Sequence, residues 1–261
     1  KTTMKIYCFT TEEIGSQDAS GCDNYCESNE TVVLEDGYIG CYNNSDLKFL
    51  EDIIAGSNNI DNGVNPWKLG HQIWSSGRLE SFCCSSSDVS QLPQLTGHLQ
   101  SCQAECDYVF DVAFPASVGN LTAIDTLVLG GMGLFGQIPE EIILLTELEV
   151  LVIKDNSLLS GNIPSEFGDL EKLKHLNLSN NKLGYNTTNP EIPSSLWTIT
   201  DLQSIDISQN HLADELSSSA DYSQLENLQW LDISNNKYYG LVPEDICDFN
   251  LIGSFPLQFE F

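Results

Sequence analysis

The sequence predicts an α/β solenoid: stacked coils that each give one short strand to a shared, parallel, concave sheet, behind a disulfide-rich N-terminal cap. Three observations predict it. A nine-residue frame ending in an apolar-x-apolar core recurs five times between residues 121 and 233. Asparagine stands three positions beyond that core in four of the five copies. Eight of the nine cysteines precede residue 107.

The copies are LTAIDTLVL, LTELEVLVI, LEKLKHLNL, ITDLQSIDI and LENLQWLDI, starting at Leu121, Leu145, Leu170, Ile199 and Leu225. The steps of 24, 25, 29 and 26 residues are those of a solenoid, in which one coil cannot bury its leucine side alone and stacked coils share a continuous core. Apolar residues that alternate at period two point inward from each strand. Asn156, Asn181, Asn210 and Asn236 read as a structural ladder whose amides bond the backbone of adjacent coils, because a buried amide without partners is costly. Met132 breaks the rule in the first copy. The long third step comes from GYNTTNPE, residues 184–191, a polar surface loop.

Downstream of each core the chain reads Gly136-Gln137-Ile138-Pro139, Gly161-Asn162-Ile163-Pro164 and Gly240-Leu241-Val242-Pro243, with Glu191-Ile192-Pro193 as a partial copy. This LxxLxxLxLxxNxLxGxIP pattern resembles the plant-type extracellular leucine-rich repeat, over about residues 112–250. Proteins of that type include receptor-kinase ectodomains, polygalacturonase-inhibiting proteins and secreted algal repeat proteins. The resemblance implies a right-handed superhelix. It also implies an extracellular or cell-surface chain that binds a protein, peptide or glycan through its concave face and flank without catalysis.

The expected organisation is a cysteine-rich cap over 1–110, about five coils over 111–250, and an apolar segment or start of a sixth coil over 251–261. In the cap, Ser45 to Ile54 is the best helix, with Ser45 or Asp46 capping it and Leu47, Leu50 and Ile54 on one face. Cys8, Cys22, Cys26, Cys41, Cys83, Cys84, Cys102 and Cys106 read as a disulfide framework in an oxidising compartment, with zinc at the C-x3-C pairs as the competing reading and no partner evident for Cys247. Sequons at Asn29, Asn43, Asn120, Asn177 and Asn186 agree with secretion. No stretch is long and apolar enough to span a bilayer.

The net charge of −28 makes nucleic acid and anionic membranes poor partners, and favours cations or basic proteins. Residues between the strand leucines form outward columns. The first is Thr126, Val150, His175, Ser204 and Trp230; the second is Val128, Val152, Asn177, Asp206 and Asp232. The first coils thus present apolar residues, and the last present an aromatic ring and carboxylates. His175, Asp206, Trp230 and Asp232 are the candidate ligand-binding residues, with Trp230 as a hot spot. The aspartates also have a structural reading, and calcium between them would relieve their repulsion. A glycan on Asn177 would obstruct the middle of this face.

No HExxH, GxSxG, P-loop or GxGxxG occurs, and no carboxylate pair is singled out, so an enzyme is not expected. The apolar end, LIGSFPLQFEF, supports a different reading. In that reading the chain is a structural subunit of an extracellular coat, wall or filament that self-associates through residues 251–261.

Overall fold

The computed structural model describes residues 29–35, 38–57, 64–66, 69–86, 106, 110–215 and 222–240. Expectations for Cys8, Cys22, Cys26, Cys102, Cys247 and residues 251–261 lie outside them.

Strands β1 (Glu30–Glu35) and β2 (Tyr38–Asn43) form an antiparallel pair leading into helix α1 (Asn44–Gly56). The helix starts one residue earlier than expected, and its cap is Asn43. Its side-chain oxygen accepts from the backbone of Ser45 and Asp46, taking the orphan donors of the first turn. Asp46 is thereby released for another task. Fully buried, it accepts two hydrogen bonds from Arg78, the chain's one arginine, at 2.8 and 2.9 Å, and one from Leu79 N at 2.9 Å. Arg78 also reaches Asn120 O and Thr122 Oγ1, so one side chain ties helix, hairpin and first coil together.

The hairpin consists of β3 (His71–Ser75) and β4 (Arg78–Ser85), joined by Ser76 and Gly77, both at positive φ. Such a two-residue turn matches the strand twist. Four further elements alternate between two sheets: β5 (Thr126–Gly130) and β7 (Val150–Lys154) on the concave side, β6 (Phe135–Gln137) and β8 (Leu158–Gly161) on the flank. β9 (His175–Asn177), β11 (Ser204–Asp206) and β12 (Trp230–Asp232) continue the first sheet, and β10 (Lys182–Leu183) the second.

The concave sheet has the order β3-β4-β5-β7-β9-β11-β12, parallel from β4 onward, and the flank sheet the order β6-β8-β10. β4 pairs with β5 from Ser81/Thr126 to Ser85/Gly130, so the cap supplies the first two strands of the same sheet. The array expected to open near Asp111 is therefore continuous with the hairpin before it. The coils are numbered one to five by β5, β7, β9, β11 and β12.

Convex elements depart from an α/β expectation. Among the described residues the one α-helix is in the cap, and the outer face carries short 3-10 turns: Ala116–Asn120, Glu140–Leu144, Phe167–Asp169, Ser194–Thr198 and Tyr222–Gln224. Pro115, Pro139 and Pro193 immediately precede three of them, since proline's fixed φ starts a helical turn and needs no amide donor. Inside, Leu121, Ile124, Leu127, Leu151, Leu170, Leu173, Ile205 and Ile207 are fully buried, each contributing roughly 1.5–3 kcal/mol.

The asparagines bridge coils. Asn156 Oδ1 accepts from Met132 N and Leu134 N, both at 3.1 Å, while its Nδ2 donates to Leu129 O and Lys154 O. Asn181 accepts from Asn156 N, Asn210 from Leu183 N and Asn236 from Leu212 N, each donating to carbonyls of its own and the preceding coil. Met132, fully buried, keeps the backbone part of the ladder, its N–H donating to Asn156 Oδ1 as Asn156 N–H donates to Asn181 Oδ1.

Period-two alternation also explains the vicinal cysteines. Cys84 turns into the core and is bonded to Cys106, whereas Cys83 faces the opposite side in register with Val128. Cys41 is disulfide-bonded as well.

Candidate ligand-binding face

Register places the outward columns as the repeat implies. Thr126, Val150, His175, Ser204 and Trp230 are successive partners, as are Val128, Val152, Asn177, Asp206 and Asp232. The cap extends both, Ser81 and Ile73 joining the first column and Cys83 and His71 the second. Sequence reasoning missed this extension, because no repeat motif marks β3 or β4.

Exposure divides the face. Val128 and Val152 are 0% and 1% exposed, and Thr126 and Val150 are also buried. The first two coils were expected to present an apolar surface, and they present none. Within the five coils, the partly exposed residues of these two columns are on coils three to five: His175, Asp206, Trp230 and Asp232. These four candidates therefore fall on three adjacent strands, β9, β11 and β12.

Hydrogen bonds knit the open part. His175 Nδ1 lies 2.8 Å from Ser204 Oγ, and Asn177 Nδ2 donates to Asp206 Oδ2 at 3.2 Å. Asp206 Oδ1 accepts from the backbone and hydroxyl of Ser208, and Asp232 Oδ1 from Ser234 N. Asn177 makes the same turn with Ser179. Aspartate and asparagine at this position thus both close the turn after the strand, and that duty uses one oxygen of each carboxylate.

Asp206 and Asp232 are direct register partners, which sets their backbones one strand spacing, about 4.8 Å, apart. Burial foremost, with the Asp232 charge added, holds the Asp206 pKa above the usual carboxylate value despite the Ser208 bonds. Burial, with Lys174 nearby, holds His175 below the usual imidazole value, against the opposing pull of Glu149. The uncharged imidazole is the favoured form in this half-buried place.

The sequons fall into distinct places. Asn29 and Asn186 are exposed. Asn43 caps α1, and Asn120 ends a 3-10 turn. Asn177 is 6% exposed with its amide nitrogen engaged by Asp206. That placement argues against a glycan on Asn177, because the acceptor atom points into a bonded column.

The model of the Leucine Rich Repeat family matches residues 147–170, 172–198 and 227–249. Receptor-like protein 39 of Arabidopsis thaliana is 31% identical over 136 residues, covering 52% of this chain and 15% of that protein. Receptor-like protein 41 of the same plant is 36% identical over 130 residues, covering 50% of this chain and 14% of that one. The chain therefore spans only about a seventh of the length of either relative. Among solved structures, the ectodomain of the Arabidopsis receptor kinase SOBIR1 aligns with a TM-score of 0.53 at 21% identity, over 76% of this chain and 97% of that one. The PEPR1–AtPEP1 structure aligns with a TM-score of 0.57 at 20% identity, over 78% and 26%; at such identities both establish the fold alone. The chain is a leucine-rich repeat protein resembling the ectodomains of plant receptor-like proteins and receptor kinases. No helix among the described residues is long and apolar enough to cross a membrane.

Proposed function

We propose that this chain is a non-catalytic, extracellular recognition module, a right-handed superhelix that binds a peptide or peptide-like segment on the concave face of coils three to five. One observation carries the reading. Both outward columns are buried over the first two coils, whereas over the last three, between the buried Asn177 and Ser204, the side chains of His175, Asp206, Trp230 and Asp232 are partly exposed on adjacent strands. Similarity to receptor-like proteins supports it. The chemistry of the patch selects a cationic ligand: an indole face attracts a guanidinium or ammonium, and the carboxyl pair supplies its counter-charge.

Panning a random decapeptide library against the folded chain tests this. Selected peptides should be rich in Arg and Lys. Trp230→Ala should weaken them at least 30-fold, the equivalent of about 2 kcal/mol at a hot spot, and Asp232→Asn should weaken them less. Selected peptides that bind both variants as well as the parent would refute the assignment. The alternative of a structural subunit rests on residues 251–261, outside the described part of the chain.

A further inference from the structure

The chain has ten lysines and arginines against 38 acids. Seven of the ten are described, and five of these are paired: Lys48 with Asp52, Arg78 with Asp46, Lys154 with Asp155, Lys172 with Glu147 and Lys174 with Glu149. The other two, Lys182 and Lys237, have no carboxylate in ion-pair range among the described residues. They are not scattered. Each follows its ladder asparagine directly, as does His211 in the coil between them. Backbone bonds from His211 N to Leu183 O and from Lys237 N to Leu212 O, both 2.8 Å, stack the three positions on successive coils. Burial and then the charges of Lys237 and Lys182 lower the pKa of His211, as expected for a third member of one row. Burial, with the charges of Glu191 and Glu215 nearby, raises the pKa of Asp214.

Two large rings accompany the row. Tyr185 is 47% exposed, with its ring centroid 5.1 Å from that of His211, and Tyr239, two residues beyond Lys237, is 61% exposed. Exposed aromatics of this size beside unneutralised cations mark an interaction surface. The backbone along the row is already bonded coil to coil, so a peptide would find no free edge to extend by strand addition. A sugar chain needs none. It offers C–H faces to tyrosine rings and point charges to ammonium groups, repeated along its length as the coils repeat at about 4.8 Å.

We infer that Lys182, His211 and Lys237, with Tyr185 and Tyr239 beside them, form a flank site for an acidic oligosaccharide, separate from the concave peptide face. The surrounding negative field restricts binding to short chains seated on the row, where attraction to Lys182 and Lys237 dominates and weakens as ionic strength rises.

The test is calorimetric titration of the full chain with three probes: an oligouronate hexamer, a neutral glucan hexamer and a hexaglutamate peptide. The oligouronate should bind best, and its affinity should fall as salt rises. Lys182→Gln with Lys237→Gln should reduce that affinity at least tenfold and flatten the salt dependence. Tyr185→Ala with Tyr239→Ala should reduce affinity and leave the salt dependence in place. All four changes are on the surface, and circular dichroism checks that each variant is folded. Trp230→Ala should not alter oligouronate binding, so loss of the peptide reading leaves this one standing. Equal binding of the neutral glucan, stronger binding of hexaglutamate, or an unchanged lysine double variant would overturn the proposal.

Discussion

Replacing Asn156 by alanine removes a fully buried side chain that makes four hydrogen bonds. Two backbone donors, Met132 N and Leu134 N, lose their acceptor, and two carbonyls, Leu129 O and Lys154 O, lose a donor. An orphaned buried donor costs about 1–3 kcal/mol, so the two together cost roughly 4 kcal/mol, with the carbonyls adding less. That is a large share of the roughly 5–15 kcal/mol typical of a folded domain. The damage should spread to both neighbours of coil two, because a solenoid is held by nearest-neighbour interfaces. Urea unfolding followed by circular dichroism measures it, with the exposed Ser157→Ala as control. Asn156→Asp keeps the acceptor and loses the donors, leaving a carboxylate against two carbonyls, and should also be destabilised. A loss below about 1 kcal/mol for Asn156→Ala would refute the ladder as an energetic element.

Three further outcomes are expected. Arg78→Ala should cost about 3–5 kcal/mol in the same unfolding assay, since it strands the buried Asp46 carboxylate; a loss under 1 kcal/mol would show that Leu79 N alone satisfies it. Relative to Asp206→Asn, which cannot titrate, the parent should gain stability as pH falls from 7 toward 4. The sign follows from a folded pKa above the ordinary 3.8: such a carboxyl's contribution to stability is fully present below the unfolded value and is lost as pH rises through the folded pKa. Asn177 already shows that an amide closes this turn, and a pH-independent difference would contradict the burial argument. Glycopeptide mapping of the chain expressed through a eukaryotic secretory pathway should find glycan on Asn186 and none on Asn177, and an occupied Asn177 would mean that the Asp206 bond is not formed.

Most of the repeat architecture was legible because it depends on local order along the chain. Leucine at fixed intervals, asparagine three places on and proline after glycine-x-isoleucine each act within one coil. Equivalent residues of successive coils therefore meet whatever the rest of the chain does, and the register of Trp230, Ser204 and His175 follows from counting. The cap was harder to read. Its helix was visible from Leu47, Leu50 and Ile54, but the capping role of Asn43 and the burial of Asp46 depend on Arg78, more than thirty residues away.

The sequence by itself determined the solenoid, the asparagine ladder and the column membership of every candidate residue, because each is a periodic property of a single coil. Only the tertiary structure decided that the cap hairpin joins the concave sheet through β4 and β5, and that Val128 and Val152 are closed off while Trp230 and Asp232 are partly open. It also decided that Lys172 and Lys174 are paired while Lys182 and Lys237 have no carboxylate in ion-pair range among the described residues. Exposure and charge pairing depend on which distant segments approach a residue, and that is fixed only when the coils stack and the cap docks on them.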